Sequence, residues 1–160
     1  MLRVRLPIQE MIRDLANDLL GTDTKVEKSR EDIATPDVGA VVSYRDDAGA
    51  TAIAGVFDTD LVGVLGGALT MVPVSTLDEA RERGDLPENV VENFWEVTNI
   101  LASMLNRPNS PHVAQADRHR SFDEIGDDLR QVIDGPAKVR TFTVSVEGYG
   151  SGRMALYSAP

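Results

Sequence analysis

Between Pro87 and Pro108 the chain offers one run long enough for five turns of helix, "ENVVENFWEVTNILASMLN", and that run constrains the fold more than any other stretch. At about 100° per residue, Glu92, Glu96, Asn99, Ser103 and Asn106 fall within a strip about 80° wide. Val90, Val91, Phe94, Val97, Ile100, Leu101, Met104 and Leu105 cover the remaining circumference, with Trp95 beside the strip. A surface helix ordinarily shows a broad polar face rich in lysine and glutamate. Here the polar line is narrow and holds no cation, so the rod must be covered on most sides by other elements.

Those elements are legible around it. Residues 8–20, "IQEMIRDLANDLL", put Ile8, Met11, Ile12, Leu15, Leu19 and Leu20 on one face, and Gly21 marks a stop. "TKVEKSRE" and "VGAVVSYRDDAGATAIAGVF" are β-prone, the latter folded into a hairpin at Asp46-Asp47-Ala48-Gly49. "DTDLVGVLGGALTMV" returns to helix, capped by Asp58 or Thr59, with Gly63, Gly66 and Gly67 placed for close backbone approach. "STLDEARERGDLPENV" predicts a short exposed helix or loop closing at Gly84 and restarting at Pro87, a residue favoured at the first helical position, with the long helix following from about Glu88 to Asn106. "SPHVAQADRHR" reads as a strand, "FDEIGDDLRQVI" as a helix or helical loop, and "AKVRTFTVSVEGYGSGRMALYSA" as a closing hairpin. Helices interspersed with hairpin-connected strands predict an α+β fold, a mostly antiparallel sheet packed against helices. Nothing in the composition divides residues 1–160, so a single domain is expected.

Composition excludes several functions. The chain has 26 acidic against 16 basic residues, a net charge of −10, which disfavours nucleic-acid backbones and anionic lipid as partners. It has no cysteine, so disulfides, thiolate zinc sites and thiol nucleophiles are absent. The opening "MLRVRLPIQEM" lacks the apolar core of a leader peptide and no apolar run is long enough to cross a bilayer. A cytoplasmic location is expected. His112 and His119 flank a strand seven residues apart, which strict alternation puts on opposite faces, so no metal site is expected. "GVLGGAL" lacks the lysine and spacing of a phosphate loop, and "GYGSG" lacks the strand-to-helix context of a dinucleotide site.

Two readings of the strip stay open on the residues alone. It is either the polar edge a mostly buried helix must keep in water, or a surface presented to a partner. The segment "ENFWEVTNILASMLN", with Glu96-x-x-Asn99, resembles the signature of the CheC, CheX and FliY phosphatases, which act on the chemotaxis response regulator CheY. An apolar helix bearing Glu-x-x-Asn after one hairpin and before a closing hairpin is most similar to CheX. The resemblance covers most of the chain in layout and about fifteen residues in motif.

It implies a protein aspartyl-phosphate phosphatase acting on a phosphorylated receiver domain, with Asn99 orienting the attacking water, Glu96 docking the receiver, and Glu92 and Ser103 as flanking partner contacts. No cofactor of its own is implied, since Mg²⁺ is expected on the receiver. The sequence departs from the family pattern at Glu92, at Ser103 and at Phe122, where the family has Asp or Ser, a small residue, and Pro. Those departures keep a second function in play, a catalytically inactive CheX-like adaptor. A third is an unrelated α+β scaffold. The first helix repeats the spacing as Glu10, Asp14 and Asn17, which makes Asp14 and Asn17 candidates for a second site. Homodimerisation through a strand edge is also expected. The residues do not identify the receiver or the pathway.

Overall fold

The computed structural model describes residues 4–108 and 110–160. The first three residues of the opening segment, read above for the absence of a leader, lie outside the described residues. In chain order the elements are α1 (Gln9–Leu20), β1 (Thr24–Ser29), β2 (Val38–Asp46), β3 (Thr51–Asp58), α2 (Thr59–Leu69), α3 (Val74–Arg83), α4 (Glu88–Leu105), β4 (Val113–His119), α5 (Asp127–Asp134), β5 (Lys138–Val146) and β6 (Gly150–Ser158). Six strands form one sheet in the order β1-β5-β6-β3-β2-β4, and every pairing is antiparallel. The fold is α+β, with helices on both faces of the sheet.

Strand alternation divides the core in two. Ala40, Val42, Tyr44, Phe57, Phe142, Val144, Met154 and Leu156 point toward α1, α2 and α4. Val41, Ala54, Val56 and Ala155 point the other way, onto Leu129 and Val132 of the short α5 and Ile125 just before it. The two β-hairpins sit where turn residues were expected. Asp46 closes the first by accepting from the N–H groups of Ala48 and Ala50 at 3.0 Å each, with Gly49 at φ 86°.

Local chemistry explains how α2 carries α4. The Asp58 carboxylate accepts from Leu61 N at 2.8 Å, capping α2, and from Arg153 N on β6 at 2.9 Å. Burial raises its pKa above the ordinary carboxylate value, against the lowering effect of both backbone donors. Of the three glycines expected to admit a close backbone, Gly66 does so: a β-carbon there would collide with the Val90 carbonyl oxygen, so only glycine lets α4 lie this close, whereas Gly67 faces the Leu77 side chain and Gly63 only the tip of Leu86. Pro87 is the cap residue of α4 rather than its first helical residue, with φ −55° and ψ 142°, and Val90 and Val91 N–H bond its carbonyl.

Candidate functional site

α4 is held from three sides, and within Glu88–Leu105 each hold falls on a residue that is not part of the strip. Phe94 is fully buried and meets Phe57 of β3 edge-to-face, with centroids 5.0 Å apart. The buried Tyr44 hydroxyl donates to the Thr98 carbonyl at 2.7 Å, and Gln115 of β4 donates to the Thr98 hydroxyl at 2.8 Å. Asn93 donates to Gly66 O and to Thr70 Oγ1, tying α4 to α2. At the end of the helix Asn106 accepts from Val113 N at 2.7 Å and donates to Val113 O at 2.9 Å, as a strand residue would.

What remains free is the strip. Glu92, Glu96, Asn99 and Ser103 are all exposed, one or two turns apart along one line of α4. Among the described residues, no hydrogen bond or ion pair engages the side chains of Glu92, Glu96 or Asn99, while Ser103 Oγ donates locally to Ile100 O at 2.7 Å. Chemically this line offers two carboxylates as acceptors for a cation and a carboxamide able to donate and accept at once. Asn106 extends the line but is committed to β4, so the strip ends functionally at Ser103.

One neighbour escaped sequence reading. Arg118, exposed on β4, lies over the half-buried Trp95 ring at 5.7 Å from its centroid, and the two join Glu88, Val91 and Glu92 around a shallow hollow. A cation therefore stands beside a strip that contains none. The signal was present only in the three-dimensional pairing of β4 with β2, not in any spacing.

The α1 repeat has a different arrangement. Asp14 is exposed and pairs with its neighbour Arg13 at 3.1 Å. Asn17 is half-buried, and its side-chain oxygen accepts from Thr24 N at 2.7 Å. Its carboxamide thus joins α1 to β1 instead of facing outward as Asn99 does. His112 lies 3.2 Å from Asp47, exposed at the approach to β4, and His119 is half-buried at the end of that strand. Among the described residues no group of three or more His, Asp or Glu side chains is placed to hold a metal ion, and no helix is long and apolar enough to cross a membrane.

No family model matches the sequence, and no curated protein matches it. Solved structures do. The FliM middle domain from H. pylori superposes with a TM-score of 0.64 at 8% identity, over 94% of this chain and 86% of that one. CheX from Borrelia burgdorferi, solved in a complex with CheY, BeF3 and Mg²⁺, matches with a TM-score of 0.56 at 10% identity, over 98% of this chain and 100% of that one. The chain has the CheX and FliM middle-domain fold. FliM in a FliM–SpeE complex from H. pylori matches with a TM-score of 0.58 at 9% identity, over 94% of this chain and 83% of that one. At such identities the likeness is one of fold, and the α+β expectation drawn from the pattern of helices and hairpin-connected strands agrees with it.

Proposed function

We propose that the exposed line on α4 docks the receiver domain of a response regulator and hydrolyses its aspartyl phosphate. One observation carries the reading: on a helix anchored through Phe94, Thr98 and Asn93, the residues left free and outward are Glu96 and Asn99. The fold shared with a CheX that was solved together with CheY supports it.

The chemistry required is modest. An acyl phosphate is already activated, so catalysis consists of placing a water in line with the phosphorus–oxygen bond to be broken. The water oxygen bonds to phosphorus, the aspartyl carboxylate leaves with the electron pair, and the water proton passes to the phosphate or the leaving carboxylate. Asn99 orients the water through its amide, accepting a water hydrogen or donating to a phosphoryl oxygen. Glu96, one turn earlier, pairs with a lysine of the receiver and sets the register of that amide. Glu92 and Ser103 flank the contact. Mg²⁺ belongs to the receiver in this scheme, and the chain supplies positioning.

The test is the decay of a phosphorylated receiver in the presence of the protein and two variants. Asn99→Ala abolishes acceleration while leaving binding intact, and Glu96→Ala weakens binding first. Wild-type acceleration by both variants refutes the assignment. A second reading, a receiver- or protein-binding adaptor without turnover, is favoured by the FliM structures, one of which is a complex with SpeE, and by the departures at Glu92, Ser103 and Phe122. Phe122 sits in a one-turn 3-10 helix against the smaller core, so burial rather than a proline shapes that loop. Binding without acceleration selects this reading. A cytoplasmic homodimer paired through an edge strand, β1 or β4, accompanies either one, and sedimentation velocity tests the dimer.

A further inference from the structure

At one end of the sheet the strands run past the helical layer. Phe142 and Val144 of β5 are covered by the larger core, but Arg140 and Lys138, which continue the same face, are not. The segment before α1 crosses there, and Arg140 fixes it by donating from one Nη to Leu6 O and Pro7 O at 3.2 and 3.0 Å. The result is an open groove of about 940 Å³ between the N-terminal segment, the β2–β3 turn, the loop after α4 and the last residues of β6.

Its charge is opposite to that of the molecule. Arg5, Arg107, Lys138 and Arg140 line it, against a single carboxylate side chain, Asp46, one of whose oxygens is engaged by the turn it closes. The arginines in ion pairs among the described residues are others, Arg13, Arg45, Arg81 and Arg153. Arg107 Nε is buried with no acceptor among the described residues. Arg5 and Lys138 are exposed, and Ile8, 45% exposed, adds an apolar wall.

We propose that this groove binds an acidic segment of a partner protein, one that interleaves carboxylates with apolar side chains. The cations supply the charge match, and the apolar wall supplies area that a bare phosphate would leave uncovered. A segment lying in the groove stays within about one Debye length, roughly 8–10 Å, of the four cations, so the net charge of −10 elsewhere is screened. An anionic bilayer would instead face a broad area of the acidic surface. The site is separate from the α4 strip and does not depend on the phosphatase reading.

The probe is a fluorescein-labelled peptide of sequence (DLE)4, titrated with the full chain and followed by anisotropy at two salt concentrations. Saturable, salt-sensitive binding is expected, with weaker binding of (DSE)4. The double variant Arg5→Glu/Lys138→Glu alters two exposed side chains, and circular dichroism checks that it folds. It should bind (DLE)4 about tenfold or more weakly, since reversing two charges exchanges attraction for repulsion. Absence of saturable (DLE)4 binding, or binding unchanged in the double variant, overturns the proposal. So does a dependence on Arg5 and Lys138 that appears for inorganic pyrophosphate, for phosphatidylserine vesicles or for self-association in sedimentation velocity while the peptide does not bind.

Discussion

Replacing Tyr44 by Phe tests the hold of the sheet on α4, because the substitution removes one hydroxyl and leaves the ring. That hydroxyl is fully buried and donates to the Thr98 carbonyl, one residue before Asn99. Mid-helix, the same carbonyl keeps its donor four residues on, so it is not orphaned. The loss at neutral pH is therefore about 1 kcal/mol, the value for a net hydrogen bond rather than for an abandoned buried group. For a chain of this length it lowers the melting temperature by about 2–4 °C.

The pH dependence makes the test sharper. Burial pushes the Tyr44 phenol far above its ordinary range, so the folded state keeps its proton while an unfolded tyrosine loses it near pH 10. Above that pH the unfolded chain binds fewer protons than the folded one, and stability falls as pH rises. At pH 11 the wild type loses about 1.4 kcal/mol through this residue alone, and the Phe variant loses none of it. Tyr157, also raised by burial, acts in both proteins alike. Urea unfolding from pH 8 to pH 11 should show the wild type ahead by about 1 kcal/mol at pH 8, with that advantage shrinking to nothing or reversing by pH 11. A difference that stays constant over the range refutes the burial argument.

Gly66→Ala should cost about 2–3 kcal/mol in urea unfolding, because the added carbon meets the Val90 backbone. Gly63→Ala meets only the tip of Leu86 at 3.4 Å and should be neutral or stabilising by up to about 1 kcal/mol, through helix propensity. Equal effects at the two positions would refute the close-approach account of α2 against α4. Asp58→Asn keeps an acceptor for Leu61 N but sets an amide against Arg153 N, and should cost about 1–2 kcal/mol at pH 7. Since the folded-state pKa of Asp58 is raised, its ionisation opposes folding as pH rises from the unfolded value of 3.8, so the wild type gains stability on acidification and the Asn penalty should be larger at pH 4 than at pH 7. A penalty that shrinks on acidification contradicts it.

The elements were legible because each had a local cause. Asp58 caps α2, Gly21 and Gly84 take left-handed backbone at helix ends, and the turn at Asp46–Gly49 closes its own hairpin. The exposure of Glu96 and Asn99 was equally readable, since only a narrow line of α4 was polar. Sequence spacing could not tell which polar residues were already spent. Asn106 and Asn99 share a face of the same helix, yet one bonds Val113 and the other is free, and that difference is made by where β4 passes. Asn17 shows the same thing on α1, where its spacing from Asp14 matches Asn99 from Glu96 but Thr24 occupies its oxygen. Arg118 and the basic groove were invisible for a related reason, as each gathers residues from segments far apart in the chain.

The strip and its support are parts of one arrangement. A water-orienting amide works only if its position is fixed to a fraction of an ångström, and a long surface helix held on one side would not fix it. α4 is held by an aromatic contact from β3, a phenol from β2, an amide from β4 and a backbone contact that only glycine permits from α2. Nearly every position off the strip is used for that purpose, which is why the helix is apolar almost all round and its free polar line so thin. The adaptor reading needs the same line exposed but not the same rigidity. Tyr44→Phe and Gln115→Ala, neither of which touches the strip, therefore discriminate. Turnover should fall more than receiver affinity if Asn99 positions water, and the two should be nearly unchanged together if α4 only docks a partner.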